Sequence, residues 1–366
     1  MDPASRKHEH PDGKAPGPSM TPGSDPPLKV RRVSPRKIAK FYNVLAAPLC
    51  ERKGRQLESA EPDRFRFFPS RWEKFSDSGT DRIELGGFTP FNHIRGSHVL
   101  FLADFHSNDA VLSQVNALVT LCESFILSLT IALPYYPHGT MERVEREGEV
   151  ATASTVARII SHLPSCGSPA RVMLYDLHAL QNRYYFHGNA AASLHSTVPM
   201  LLSALSADAA RIPDAASGKV SAIAFPDDGA AKRFGKLFVQ EGFPIIICGK
   251  VRDGDKRIVR IMEGECKDQH VLIVDDLTRS GGTLYQCGKV LREFGAVGVS
   301  AFVAHVAMPP EVCKKFFKKG SHGAGEYAIF DTFYTTDSNP IVADKLPKDD
   351  VFRVLDMVPR LMEDLD

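Results

Sequence analysis

Short apolar runs recur along the chain, each closed by a small polar cluster: Val99 to Leu102, Ile126 to Leu133, Arg171 to Leu174, Val220 to Phe225, Pro244 to Cys248, Val271 to Val274 and Val297 to Val306. Runs of that length without strict alternation are the mark of strands buried on both faces. Helix-length segments separate them. After Ser280 the residues Leu284, Cys287, Leu291 and Phe294 fall at helical spacing, and Gly295 supplies a stop. Strands alternating with helices predict parallel sheets covered by helices, an α/β fold. The pattern also repeats. Ser97-His98-Val99-Leu100-Phe101-Leu102-Ala103-Asp104 is echoed by Gln269-His270-Val271-Leu272-Ile273-Val274-Asp275-Asp276, and in each copy a polar turn, a helix-length segment and a second apolar strand follow. Two α/β halves of one design are expected. Ligands in such sheets gather beyond the carboxyl ends of the strands, which directs attention to the residues just after each run.

Residues 1–37 are rich in Pro, Gly, Ser and charge and have little to bury, so they read as a disordered basic tail. Glu51 to Arg66 reads as a polar surface connection. The full 366 residues, 43% hydrophobic and 24% charged with a formal net charge of +1, suit two domains and show no bias toward nucleic acid or membrane. Seven scattered cysteines without a C-x-x-C pair indicate neither a zinc site nor a disulfide framework. No run approaches the ~18–20 apolar residues of a membrane span, and no apolar secretory core is present near the N-terminus; a cytoplasmic protein is expected, organelle targeting by the tail aside.

The most specific chemical signal is His270 through Thr283, in which a buried strand ends in Asp275-Asp276 and turns through Leu277-Thr278-Arg279-Ser280-Gly281-Gly282-Thr283 into a helix. Glycines let backbone N–H groups approach an anion, the helix N-terminus adds positive potential, and Ser280 and Thr283 add hydroxyls. Paired carboxylates accept hydrogen bonds from a sugar diol, so a phosphorylated ribose satisfies both halves of the motif. Competing nucleotide motifs fail: there is no G-x-G-x-x-G, and Gly229 to Leu237 has the wrong spacing for a P-loop and lacks its Ser or Thr.

The string Val274-Asp275-Asp276 with Ser280-Gly281-Gly282-Thr283 resembles the loop that binds phosphoribosyl diphosphate (PRPP) in phosphoribosyltransferases and PRPP synthetases. Asp176-Leu177-His178-Ala179-Leu180-Gln181, Phe225-Pro226-Asp227-Asp228-Gly229 and Lys250-Val251-Arg252 resemble motifs of the synthetases, and the likeness runs from about Phe67 to the end. His93 to His98, Gly148 to Ala153 and Asp253 to Arg260 resemble the plant-type, phosphate-independent class in particular. The resemblance implies two duplicated phosphoribosyltransferase-like domains, each a parallel sheet flanked by helices: 38–197 on the ATP side and 198–345 with the PRPP loop, with 346–366 packing back on the first. It implies transfer of the β,γ-diphosphate of ATP to ribose 5-phosphate, with Mg²⁺ as cofactor and a homo-oligomer as the assembly. By the same resemblance Lys250 and Arg252 are the catalytic pair on a mobile basic loop. Asp275, Asp276, Thr278, Ser280, Gly281, Gly282 and Thr283 take ribose 5-phosphate, and His178 with Asp227 takes the metal. Phe75, Asp77 and Arg143 are the ATP candidates. The chain departs from better-known synthetases at Ser78-Gly79 after Asp77 and at Thr140, where those enzymes carry a phosphate-binding Arg. Two other readings are a phosphoribosyltransferase, which would need a base-binding hood, and a noncatalytic regulatory subunit, which would lose Lys250, Arg252, His178 or Asp227; all four are present.

Overall fold

The structure is a computed structural model that describes residues 40–211, 219–253, 256–317, 328–348 and 350–366. The tail expected over 1–37 lies outside the described residues. The first half lays down β1 (Tyr42–Ala46), α1 (Glu51–Ala60), β2 (Phe65–Phe67), a hairpin of β3 (Arg71–Lys74) and β4 (Asp81–Glu84), β5 (His98–Leu102), α2 (Asn108–Cys122), β6 (Ser128–Leu133), α3 (Thr152–Ser161), β7 (Ala170–Tyr175) and β8 (Ala190–His195). The second half continues with α4 (Val198–Arg211), β9 (Ala222–Phe225), α5 (Asp228–Gln240), β10 (Ile245–Asp253), β11 (Lys256–Glu263), β12 (His270–Thr278), α6 (Gly282–Glu293) and β13 (Gly298–Val306). It ends with α7 (Pro310–Cys313), β14 (Phe333–Thr336), α8 (Pro340–Ala343), β15 (Phe352–Leu355) and α9 (Val358–Asp364).

Six parallel strands form the first sheet in the order β2-β1-β5-β6-β7-β8, and the second sheet repeats that order as β10-β9-β12-β13-β14-β15 with β11 added antiparallel at its edge. The sequence echo therefore marks equivalent strands, β5 and β12, each third in its row. Even the first polar residue matches: His98 of β5 hydrogen-bonds Ser128 on the next strand at 2.7 Å, and His270 of β12 hydrogen-bonds Ser300 at 2.9 Å. Both faces of each sheet are covered, so alternate residues of one strand enter different cores. Val99 and Phe101 face one cluster while Leu100 and Leu102 face another, and Val271 and Ile273 part from Leu272 and Val274 in the same way.

The helices that follow the last strand of each sheet cross over. α4 leaves the first sheet and buries Val198, Leu201 and Ala204 against Phe225, Val274 and Phe302 of the second. α9 leaves the second sheet and buries Val358 and Leu361 with Val44, Leu102 and Met173 of the first. Arg171 closes that contact by donating to the Asp364 carbonyl at 2.7 Å, and Arg64 pairs with Asp366 at 2.6 Å. The segment 346–366 thus divides: its strand β15 completes the second sheet, and only its helix sits on the first.

Two expectations are corrected. Glu51 to Arg66 is not a surface connection but α1 and the start of β2, because Cys50, Lys53 and Leu57 recur on one face and are buried. The polar count misled because Lys53, 2% exposed along its side chain, is neutralised by Asp337 at 2.6 Å. The basic loop after Cys248 is instead a β-ribbon, in which Lys250 pairs with Val259, Val251 with Ile258 and Arg252 with Arg257. β-branched residues interspersed with charge suit such a half-exposed ribbon. Its tip, 254–255, lies outside the described residues, as do the side chains of 252–257.

Candidate active site

The carboxyl ends of β12, β7, β9 and β10 meet at one cleft, as the switch-point rule anticipates. β12 ends in Thr278 and passes into α6 through a turn closed on itself: the Gly281 N–H donates to Thr278 Oγ1 at 3.0 Å, and the Gly282 N–H to Ser280 Oγ at 3.3 Å. Gly281 sits in the left-handed region at φ +62°, and a Cβ there would lie 2.6 Å from Phe316 Cζ. Only glycine fits both demands. The N-cap residue Gly281 has no side chain to cap α6, so beyond the Gly282 N–H, which Ser280 meets, the first-turn N–H groups are left to the turn. Lys315 steadies the outside by donating to the Ser280 carbonyl. Such a turn is shaped to receive a phosphate.

The two acids differ in state. Asp275 is pushed well above the usual carboxylate range by burial and then by the charge of Asp276 and of Asp227. Burial acts on Asp276 too, but the hydrogen bond from His178 and the charge of Arg233 outweigh it and hold that carboxyl below its ordinary value. His178 Nδ1 lies 2.9 Å from Asp276 Oδ2, and this bond raises the imidazole above its usual value against the opposing effect of burial. Arg233, from α5, stands 3.4 Å from the same oxygen. The pair thus presents one carboxylate held ionised beside one that retains its proton more readily.

His178 reaches this place because Asp176, at φ +38°, turns the chain sharply out of β7. Its carboxylate accepts from Ser196 Oγ at 2.9 Å and the Thr197 N–H at 2.8 Å, fixing the bend against the start of α4. Across the cleft, Lys250 donates to Thr283 Oγ1 at 3.1 Å, so the ribbon's lysine rests on the β12–α6 turn. Below, His305 at the end of β13 bridges the halves through the Tyr175 carbonyl at 3.0 Å and Ser338 Oγ at 2.8 Å; burial depresses its pKa and favours the neutral ring.

Of the residues singled out in the sequence, Lys250, His178, Asp275, Asp276, Thr278, Ser280, Gly281, Gly282 and Thr283 come together here. Asp227 caps α5 by accepting from the Ala230 N–H at 2.9 Å, and its charge is felt by Asp275. Among the described residues no three His, Cys, Asp or Glu side chains gather as a metal cage. A divalent ion that arrives with phosphates needs only one or two protein carboxylates, and Asp227, Asp275 and Asp276 lie near enough to one another here for Asp275 to feel both other charges. Phe75 and Asp77 stand at the exposed tip of the β3–β4 hairpin, with Arg82 over the Phe75 ring at 5.8 Å. Among the described residues no hydrogen bond or ion pair joins them to the β12–α6 turn. Arg143 lies exposed and pairs with Glu142 at 3.4 Å. Sequence reasoning missed Arg233, which sits beside the buried stripe of Ala230, Phe234 and Phe238 and carries no motif.

Twin parallel sheets of one strand order, with an uncapped glycine turn after the central strand of the second, place the chain among duplicated phosphoribosyltransferase-like α/β folds. No family model matches the chain. Ribose-phosphate pyrophosphokinase 4 of Oryza sativa subsp. japonica is 40% identical over 330 residues, covering 90% of this chain and 97% of the rice protein. The Arabidopsis thaliana protein of the same name is 39% identical over 92% of this chain and 94% of its own length. The crystal structure of phosphoribosylpyrophosphate synthetase from Mycobacterium smegmatis superimposes with a TM-score of 0.69 at 19% identity, covering 89% of this chain and 98% of that one, a likeness of fold. The chain belongs to the ribose-phosphate pyrophosphokinase family, in its plant-type branch.

Proposed function

We propose that this enzyme binds ribose 5-phosphate on the Asp275–Thr283 segment and moves the β,γ-diphosphate of MgATP onto its anomeric hydroxyl, giving PRPP and AMP. The sugar oxygen bonds to the β-phosphorus as the bond from that phosphorus to the α–β bridging oxygen breaks; AMP leaves with the electron pair, and the hydroxyl proton passes to solvent. The 5-phosphate sits on the turn of Ser280, Gly281, Gly282 and Thr283, with Thr278 bracing it from below. Asp276, held ionised by His178 and Arg233, accepts from a ribose hydroxyl, and Asp275 completes the diol contact.

Lys250 and Arg252 are the cations that meet the charge building on the transferred phosphoryl oxygens. The observation that carries this reading is the Lys250–Thr283 contact at 3.1 Å, because it puts a cation of the ribbon directly on the acceptor's phosphate turn. Mg²⁺, when bound with the nucleotide, neutralises phosphate charge, and His178 and Asp227 are the residues that would hold it or its waters. In this class of chemistry acceleration rests on positioning and electrostatics. For ATP, Phe75 offers a ring to adenine, Asp77 a carboxylate and Arg143 a guanidinium. The exposure of Phe75 on a projecting hairpin supports a homo-oligomer in which that tip reaches a neighbour's nucleotide.

No helix among the described residues is long and apolar enough to cross a membrane. The relatives include chloroplastic and mitochondrial forms; for this chain we propose the cytoplasm, to be read by fractionation. Purified protein with ATP, ribose 5-phosphate and Mg²⁺ should form AMP and PRPP in equal amounts, and light scattering should give a mass above one chain. Formation of neither product by folded, substrate-binding protein would favour a regulatory subunit instead.

A further inference from the structure

Arg279 is the cation of the turn that joins β12 to α6, and its guanidinium points away from its own half of the molecule. Nη2 donates to Thr140 Oγ1 at 2.8 Å, across to the short 3-10 turn Pro137–Thr140 that follows β6 in the first half. Thr140 is itself fixed, its hydroxyl lying 3.3 Å from the Pro137 carbonyl. Tyr135 stands close by: burial raises its phenol, and Arg279 is the largest influence opposing that rise. Yet Arg279 is exposed and forms no ion pair among the described residues. A solvent-facing arginine held by neutral acceptors, the Thr140 hydroxyl and the Tyr135 phenol, gains little stability, because ordering its long side chain offsets the bonds.

What the arrangement does create is a fixed guanidinium at the mouth of the cleft, with most of its five N–H donors uncommitted by the contact with Thr140. Lys250 stands on Thr283 at one end of the same turn, and Arg279 precedes Ser280 at the other. A planar fork takes two phosphate oxygens at once, which a point charge such as lysine cannot do. We propose that Arg279 is a specificity-determining residue that binds the polyphosphate of the nucleotide donor from the side opposite Lys250, with Thr140 as the positioning residue that holds it there. The acceptor's own turn then carries a donor-binding cation, so both substrates are aligned by one segment of chain. The inference rests on the reaction proposed above.

The test is steady-state kinetics with each substrate varied at saturation of the other, together with calorimetric titration of MgATP, on wild type, Arg279→Ala, Arg279→Lys, Thr140→Val and the Arg279→Ala/Thr140→Val double variant. Losing charge-assisted hydrogen bonds should raise KM and Kd for ATP roughly tenfold or more in Arg279→Ala. The KM for ribose 5-phosphate should move less than about twofold, because its binding groups stay in place. Arg279→Lys recovers part of the loss, Thr140→Val lies between wild type and Arg279→Ala, and Thr140→Val adds almost nothing once Arg279 is gone. An unchanged affinity for ATP in Arg279→Ala overturns the inference, as does an equal rise in both KM values with a lowered melting temperature, which marks a purely structural role. If the wild type binds MgATP but makes no PRPP, the reaction assignment fails, and the Arg279→Ala titration still decides the inference by itself.

Discussion

Lys53→Met breaks an ion pair that joins the two halves. Lys53 Nζ meets Asp337 Oδ2 at 2.6 Å and the Asp337 carbonyl at 2.9 Å, and the two side chains are 2% and 8% exposed. Removing one partner of such a pair leaves an uncompensated buried charge, at a cost of about 3–5 kcal/mol. Two neighbours soften it: Arg52 lies 3.7 Å from the same carboxylate, and the Met357 N–H donates to it at 2.9 Å. The lower end, about 3 kcal/mol, is therefore expected, or a melting temperature lower by roughly 4 °C for a chain of this size. Adding Asp337→Asn removes the stranded charge while keeping an acceptor for Met357, so the double variant should regain about 1–2 kcal/mol over Lys53→Met. Urea and thermal unfolding of wild type, both single variants and the double give the coupling. A double variant no more stable than Lys53→Met would refute the argument that the stranded carboxylate, rather than lost packing, carries the cost.

Gly281→Ala forces a left-handed backbone on alanine, at about 1–2 kcal/mol, and drives a methyl against Phe316. The KM for ribose 5-phosphate should rise about tenfold as the turn shifts, whereas Gly295→Ala, strained at φ +93° but away from the turn, should cost stability and leave that KM unchanged. Asp364 is held below its ordinary value because the hydrogen bonds from His195 and Arg360 outweigh the upward push of burial. Its contribution is present above the unfolded carboxylate value of about 4 and is lost as pH falls through the lower folded value. Asp364→Asn should therefore be less stable than wild type at neutral pH, with the gap closing in acid; a gap that stays constant on a pH series of melts would contradict this.

The sequence was most legible where local chemistry and long-range packing agree. The echo between Val99-Leu102 and Val271-Val274 could be read because both stretches fill the centre of a sheet, where only apolar residues fit on either face. The phosphate turn could be read because a left-handed, closely packed position leaves glycine as the one solution. α1 could not, since its buried lysine is explained only by Asp337, 284 residues further on. The ribbon of β10 and β11 failed for a related reason: Lys250 and Arg252 look like loop residues until Val259 is seen paired with Lys250 and Ile258 with Val251 on the next strand. Arg233 lies in no motif, and Arg279 and Thr140, although each stands in a stretch that the sequence singles out, have nothing local to pair them; both contacts are set by which helix face and which turn the fold brings together.

The central claim is tested most directly by mixing the protein with ATP, ribose 5-phosphate and Mg²⁺ and quantifying AMP and PRPP, beside Lys250→Ala. The account predicts equal amounts of both products and a rate lower by at least about a hundredfold in the variant, the usual cost of removing one positioned transition-state contact. Equal rates in the two proteins, or AMP without PRPP, would contradict it.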